Sequence, residues 1–142
     1  MRIFALTMMA CLAGAACAQD EDTAILDWTV LDATPVVPLR AIQIFQVDEA
    51  GRAGEIGSTW GEAPLPMPDQ GSISFTGDLP PPFRMCAVAL GDPGDVIVHA
   101  VSPPVQLVFE QTMEVFLTLE EAPGGEVPEP CGAGVQPWPP EA

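Results

Sequence analysis

Along most of this chain apolar and polar positions alternate with a period of two, the period of a strand buried on one face. Leu26, Trp28 and Val30 fall on one side of Ala24 to Asp32, with Asp27 and Thr29 on the other, which predicts a first strand. Leu39 to Asp48 reads as a second, carrying Ile42, Ile44, Phe45 and Val47, and Asp48-Glu49-Ala50-Gly51 closes it as a turn. The alternation slips at Ile44–Phe45, as it would at a bulge or in a strand buried on both faces. Glu55 to Trp60 makes a weak third strand among Gly54, Gly57 and Gly61, and Pro64, Pro66 and Pro68 then break pairing.

Ser72 to Thr76 alternates strictly, with Ile73 and Phe75 on one face and glycines 71 and 77 as its bounds. Pro80-Pro81-Pro82 forces an extended crossing, after which Phe83 to Leu90 resumes strand character. Asp95 to Val101 and Val105 to Glu110 flank Pro103-Pro104 and are expected to form a hairpin. Met113 to Glu120 puts Met113, Val115, Leu117 and Leu119 on one face against Glu114, Thr118 and Glu120, and only Phe116 interrupts the polar side.

No window shows the three-and-four spacing of a capped helix. Seven or eight strands at roughly ten-residue spacing predict an all-β chain, a single antiparallel β-sandwich of immunoglobulin- or transthyretin-like kind, over residues 19–122. Residues 123–142 form a Pro-rich tail that cannot continue a sheet. At the other end, Met1-Arg2, the uncharged run from Ile3 to Ala16 and the small residues Ala16-Cys17-Ala18 have the form of a signal peptide, residues 1–18. The alternative is lipidation at Cys17, since Gly14-Ala15-Ala16-Cys17 loosely matches a lipoprotein cleavage box. The apolar run is too short to span a bilayer, so the mature chain is expected to meet a membrane only if lipidated.

Processing before Gln19 leaves two cysteines, Cys86 and Cys131, and an oxidising compartment makes them one disulfide that ties the tail back. A periplasmic or secreted location follows from the same reading, with the anchored lipoprotein as its alternative. The chain has 20 Asp and Glu against 4 Lys and Arg. Such a field excludes nucleic acid as a partner, because phosphates need a cationic surface. It suits solubility first and attraction of a basic partner second.

Candidate chemistry is sparse. His99, the only histidine, lies mid-strand, and no spacing joins it to Ser58, Ser72, Ser74 or Ser102 as a catalytic set. Asp92-Pro93-Gly94-Asp95 and Asp20-Glu21-Asp22 lack the ligand pattern of a calcium loop. No catalytic residue, metal or cofactor is therefore expected. Trp28 reads as core, while Trp60 and Trp138 are the candidates for ligand contact.

The segments Leu39 to Val47, Gly71-Ser72-Ile73-Ser74-Phe75, Pro82-Phe83-Arg84-Met85-Cys86-Ala87-Val88 and Val115-Phe116-Leu117 follow in an order that resembles the YbaY-type periplasmic proteins and the type III secretion lipoprotein chaperones grouped with them. The resemblance covers about Ala24 to Glu121 and is one of strand pattern. It implies a small β-sandwich that assists envelope assembly without catalysis. The expected function is thus an accessory protein binding an envelope component, with two alternatives: a carbohydrate- or peptide-binding module that uses an exposed Trp, or an outer-membrane lipoprotein chaperone.

Overall fold

A computed structural model describes residues 22–92 and 96–136. The signal-peptide segment with Cys17, the acids at 20 and 21, residues 93–95 and Trp138 lie outside those residues.

Eight strands are present: β1 (Thr23–Leu31), β2 (Leu39–Asp48), β3 (Ala53–Trp60), β4 (Asp69–Thr76), β5 (Phe83–Gly91), β6 (Ile97–Val101), β7 (Thr112–Thr118) and the short β8 (Glu120–Glu121). They form two packed sheets, one of order β4-β1-β7 and one of order β3-β2-β5-β6-β8. This is the expected β-sandwich, with one departure from an antiparallel arrangement. β1 and β7 run parallel, with Asp27 level with Glu114 and Thr29 with Phe116. Neighbours in a parallel pair need a long connection, and here almost the whole chain lies between them.

The expected hairpin of Asp95–Val101 with Val105–Glu110 does not form. Val105 makes a single bridge to Phe83, and Val105 and Leu107 are buried without any ladder beyond it. Pro103 and Pro104 remove two donors where a hairpin would need them. The chain instead crosses from the larger sheet to the smaller. Ser102 ends the ladder: its buried hydroxyl accepts the Met85 N–H at 2.9 Å and donates to the Pro103 carbonyl at 2.7 Å.

Between the sheets lies the main core. Ala24, Leu26 and Val30 of β1 and Val115 and Leu117 of β7 meet Ile42 and Ile44 of β2, Met85, Ala87 and Ala89 of β5, and Val98 and Ala100 of β6. Trp28 packs against this core partly buried, and its indole stands over Gly71 of β4, where a Cβ would collide with the ring. The smaller sheet therefore turns Ile73 and Phe75 inward and leaves Ser72, Ser74 and Thr76 in solvent.

The slip at Ile44–Phe45 comes from burial of β2 on both faces. Against β5 the β2 register is unbroken there, so β2 itself alternates regularly: Ile42 and Ile44 face the main core, while Phe45 and Val47 are buried on the opposite face. The bulge lies in β3, where Gly57 and Glu55 oppose Ile44 and Phe45 and Ile56 is the extra residue.

The outer face of β2 and β5 is covered by the tail. Phe45, Val47, Cys86 and Val88 pack with Cys131, Val127 and Val135 in a second apolar cluster. Cys86 and Cys131 are joined, with Cα atoms 5.8 Å apart, as expected from cysteine arithmetic. Instead of adding a strand, the tail forms short 3-10 turns at Pro123–Gly125 and Cys131–Gly134. Gly134 lies against the Phe45 ring so closely that a Cβ would strike it. Beyond the bridge, buried Gln43 donates from Nε2 to the Gln136 carbonyl and accepts the Gln136 N–H through Oε1, both at 2.9 Å. One side-chain amide thereby serves as the strand partner that the tail lacks.

Two outcomes follow for stability. Cys131→Ala should destabilise the fold by at most about 4 kcal/mol, the chain-entropy value for a loop of this length, and raise binding of a hydrophobic dye as the cover over Phe45 and Val88 loosens. Urea unfolding and dye fluorescence check both, and an unchanged midpoint would show that the bridge contributes nothing. Ser102→Ala leaves the buried Met85 N–H without its acceptor and should cost about 1–3 kcal/mol in the same assay.

Candidate surface on the three-stranded sheet

β2 and β5 are buried on both faces, β3 is largely exposed at the sheet edge, and the outer face of the smaller sheet is a broad solvent-facing β surface. Alternation dictates its residues. β1 contributes Ile25, Asp27, Thr29 and Leu31, β4 contributes Gln70, Ser72, Ser74 and Thr76, and β7 contributes Thr112, Glu114, Phe116 and Thr118.

Register sets them in rows. Ser72, Asp27 and Glu114 share one row, and Gln70, Thr29 and Phe116 share the next. The Ser72 hydroxyl donates to Asp27 Oδ1 at 2.6 Å. Asp27 and Glu114, both carboxylates, stand directly opposite each other across the β1–β7 ladder. These two rows line an open groove of about 570 Å³ with Phe116 at its margin. Phe116 is 60% exposed. It was legible only as the one break in the polar side of Met113 to Glu120, a signal that by itself also fits an ordinary surface phenylalanine.

Of the sequence-predicted contact residues, Trp138 falls outside the described residues and Trp60 lies elsewhere. Trp60 is 61% exposed and ends β3 opposite Ala41, at the edge of the other sheet. It belongs to a strand end and shares no cavity with Phe116 among the pockets described. A second cavity of about 290 Å³ lies between Val47, Asp48, Pro82, Arg84, Pro104 and Pro130, where Arg84 donates to the Ser102 carbonyl at 3.1 Å. The guanidinium is thus engaged within the fold, Asp48 accepts the Ala50 and Arg52 N–H groups, and Glu49 also lines this cavity.

His99 faces away from buried Val98 and Ala100, half-buried between Val88 and Glu120 on the larger sheet. The serines considered beside it are dispersed. Ser72 and Ser74 belong to the other sheet, Ser58 donates to Glu55 on β3, and the Ser102 hydroxyl is committed to β5 and Pro103. Among the described residues no three His, Cys, Asp or Glu side chains converge as a metal site, and no helix is long and apolar enough to cross a membrane.

On the inward face of β4, Asp69 opposes Val30, and desolvation by burial raises its carboxyl above the usual 3.8. The folded state then holds this proton more tightly than the unfolded chain. Its contribution to stability is present in full below pH 3.8 and is lost as pH rises through the folded value.

No known protein family, curated protein or solved structure matches this chain.

Asp69→Asn removes that titration. Compared with the variant, the native protein should gain stability as pH is lowered from 7 to below 3.8, read as the difference between two urea-unfolding series. Parallel pH profiles would contradict the assignment.

Proposed function

We propose that this protein is a non-catalytic binding protein of the cell envelope, and that its partner docks on the outer face of the three-stranded sheet. The observation that carries this reading is Phe116, an exposed ring beside a polar groove on a wide sheet face that neither a second sheet nor the tail covers. Aromatic residues, phenylalanine among them, are enriched at protein interfaces relative to the rest of the surface. The Cys86–Cys131 bridge supports export to an oxidising compartment. The resemblance in strand pattern to proteins that assist envelope assembly points the same way.

A second reading follows from Trp60. Its exposure at the end of an edge strand suits stacking of a sugar ring or docking of a peptide strand. The lipoprotein-chaperone reading rests on Cys17 and shares the docking face of the first.

The two surfaces are separable by position. A photo-crosslinking amino acid placed at Thr118, beside Phe116, should give a discrete adduct in cells, and the adduct should disappear in Phe116→Ser. The same probe at Thr59, beside Trp60, should give none. A discrete adduct from Thr59 alone would transfer the function to the β3 edge, and adducts from neither position would overturn the docking reading.

A further inference from the structure

Resting on that reading, we infer that the occupant of the groove is a basic, extended peptide segment of a partner protein, with arginines at alternate positions. The argument begins from charge. The three strands of this sheet carry Asp27, Asp69 and Glu114 and no Lys, Arg or His, while Arg40, Arg52 and Arg84 all belong to the other sheet or to the turn after β2. The face therefore has no cation of its own to balance its acids.

Asp27 and Glu114 sit level across the ladder. Like charges in that relation repel, a local cost that a bound cation converts into attraction. Asp27 already accepts one hydrogen bond from Ser72, which holds its carboxylate in place at the groove. A guanidinium can reach carboxylates with a fork of donors and also lie flat on an aromatic ring.

Spacing selects an extended chain. Glu114 and Phe116 are two residues apart on one face of β7, so their side chains stand about 6.6–7 Å apart along the strand. Alternate side chains of a bound extended peptide have the same separation. One arginine can thus stack on Phe116 while the arginine two residues away enters the Asp27–Glu114 row. Thr29, Gln70 and Ser72 supply hydroxyl and amide groups for the intervening polar contacts. A neutral glycan would use the ring and the hydroxyls but would leave the facing carboxylates unbalanced.

The test is fluorescence anisotropy with a labelled, terminally blocked octapeptide of alternating Arg and Thr, at 150 mM salt on the order of physiological ionic strength. The peptide should bind, and its Glu-for-Arg counterpart should not. Phe116→Ala and Glu114→Gln should each weaken binding about two- to fivefold, the range for an exposed cation–π contact or ion pair. Glu62→Gln, in the loop after β3, removes the same charge far from the groove and should leave affinity unchanged. Equal weakening by Glu62→Gln and Glu114→Gln, or indifference to Phe116→Ala, would mean diffuse attraction to an acidic protein and would overturn the inference. Binding of cellohexaose in place of the peptide would also overturn it, yet leave the Thr118 crosslink intact. Loss of that crosslink would remove the docking reading itself.

Discussion

The central constraint in this protein is that β2 and β5 are apolar on both faces. Ile42, Ile44, Met85 and Ala87 require one cover, and Phe45, Val47, Cys86 and Val88 require another. Leaving Phe45, Val47 and Val88 in water would forfeit about 1.5–3 kcal/mol each, a serious loss against the marginal stability of a domain this size. The smaller sheet answers the first requirement. The tail answers the second, and because its Pro-rich sequence cannot add a strand, a covalent bridge and the Gln43 amide hold it down. Gly134 lets the tail come close enough to seal Phe45.

From this layering follows the division of labour on the surface. Both faces of β2 and β5 are occupied, so sheet surface remains free along the β3 edge and, more broadly, where the smaller sheet turns outward. That face is polar, acidic and free of cations, and Phe116 is its exposed ring. The parallel β1–β7 pairing decides what stands beside what. It brings Glu114 level with Asp27 and Phe116 level with Thr29, neighbours some 87 positions apart in the chain. Catalysis by His99 finds no comparable support, since its potential hydroxyl partners are bonded within the fold or carried on the other sheet.

Much of the fold was legible because strands buried on one face write a period of two into the chain. β1, β4 and β7 are the clearest instances, and their inward residues are those that alternation assigns. Failures arose where that period carried a different meaning. Val105 and Leu107 alternate and are buried as strand residues should be, but two prolines deny them a ladder, so periodicity reported burial where it was taken to report pairing. At Ile44–Phe45 the pattern blurred because β2 has two buried faces. The groove was not legible, since it depends on the register of β1 with β7 and β4, and Phe116 is a single exception in an otherwise regular strand.

The amino-acid sequence by itself determined an all-β sandwich, an acidic surface hostile to polyanions, and a bridge between Cys86 and Cys131, because period, net charge and cysteine count are local or additive quantities. Tertiary structure alone decided that the tail roofs the larger sheet, that β1 and β7 run parallel, and that Asp27, Glu114 and Phe116 share one face. Strand order and register depend on which distant segments bury each other's apolar faces, and an alternating pattern states that a face must be covered without stating by what.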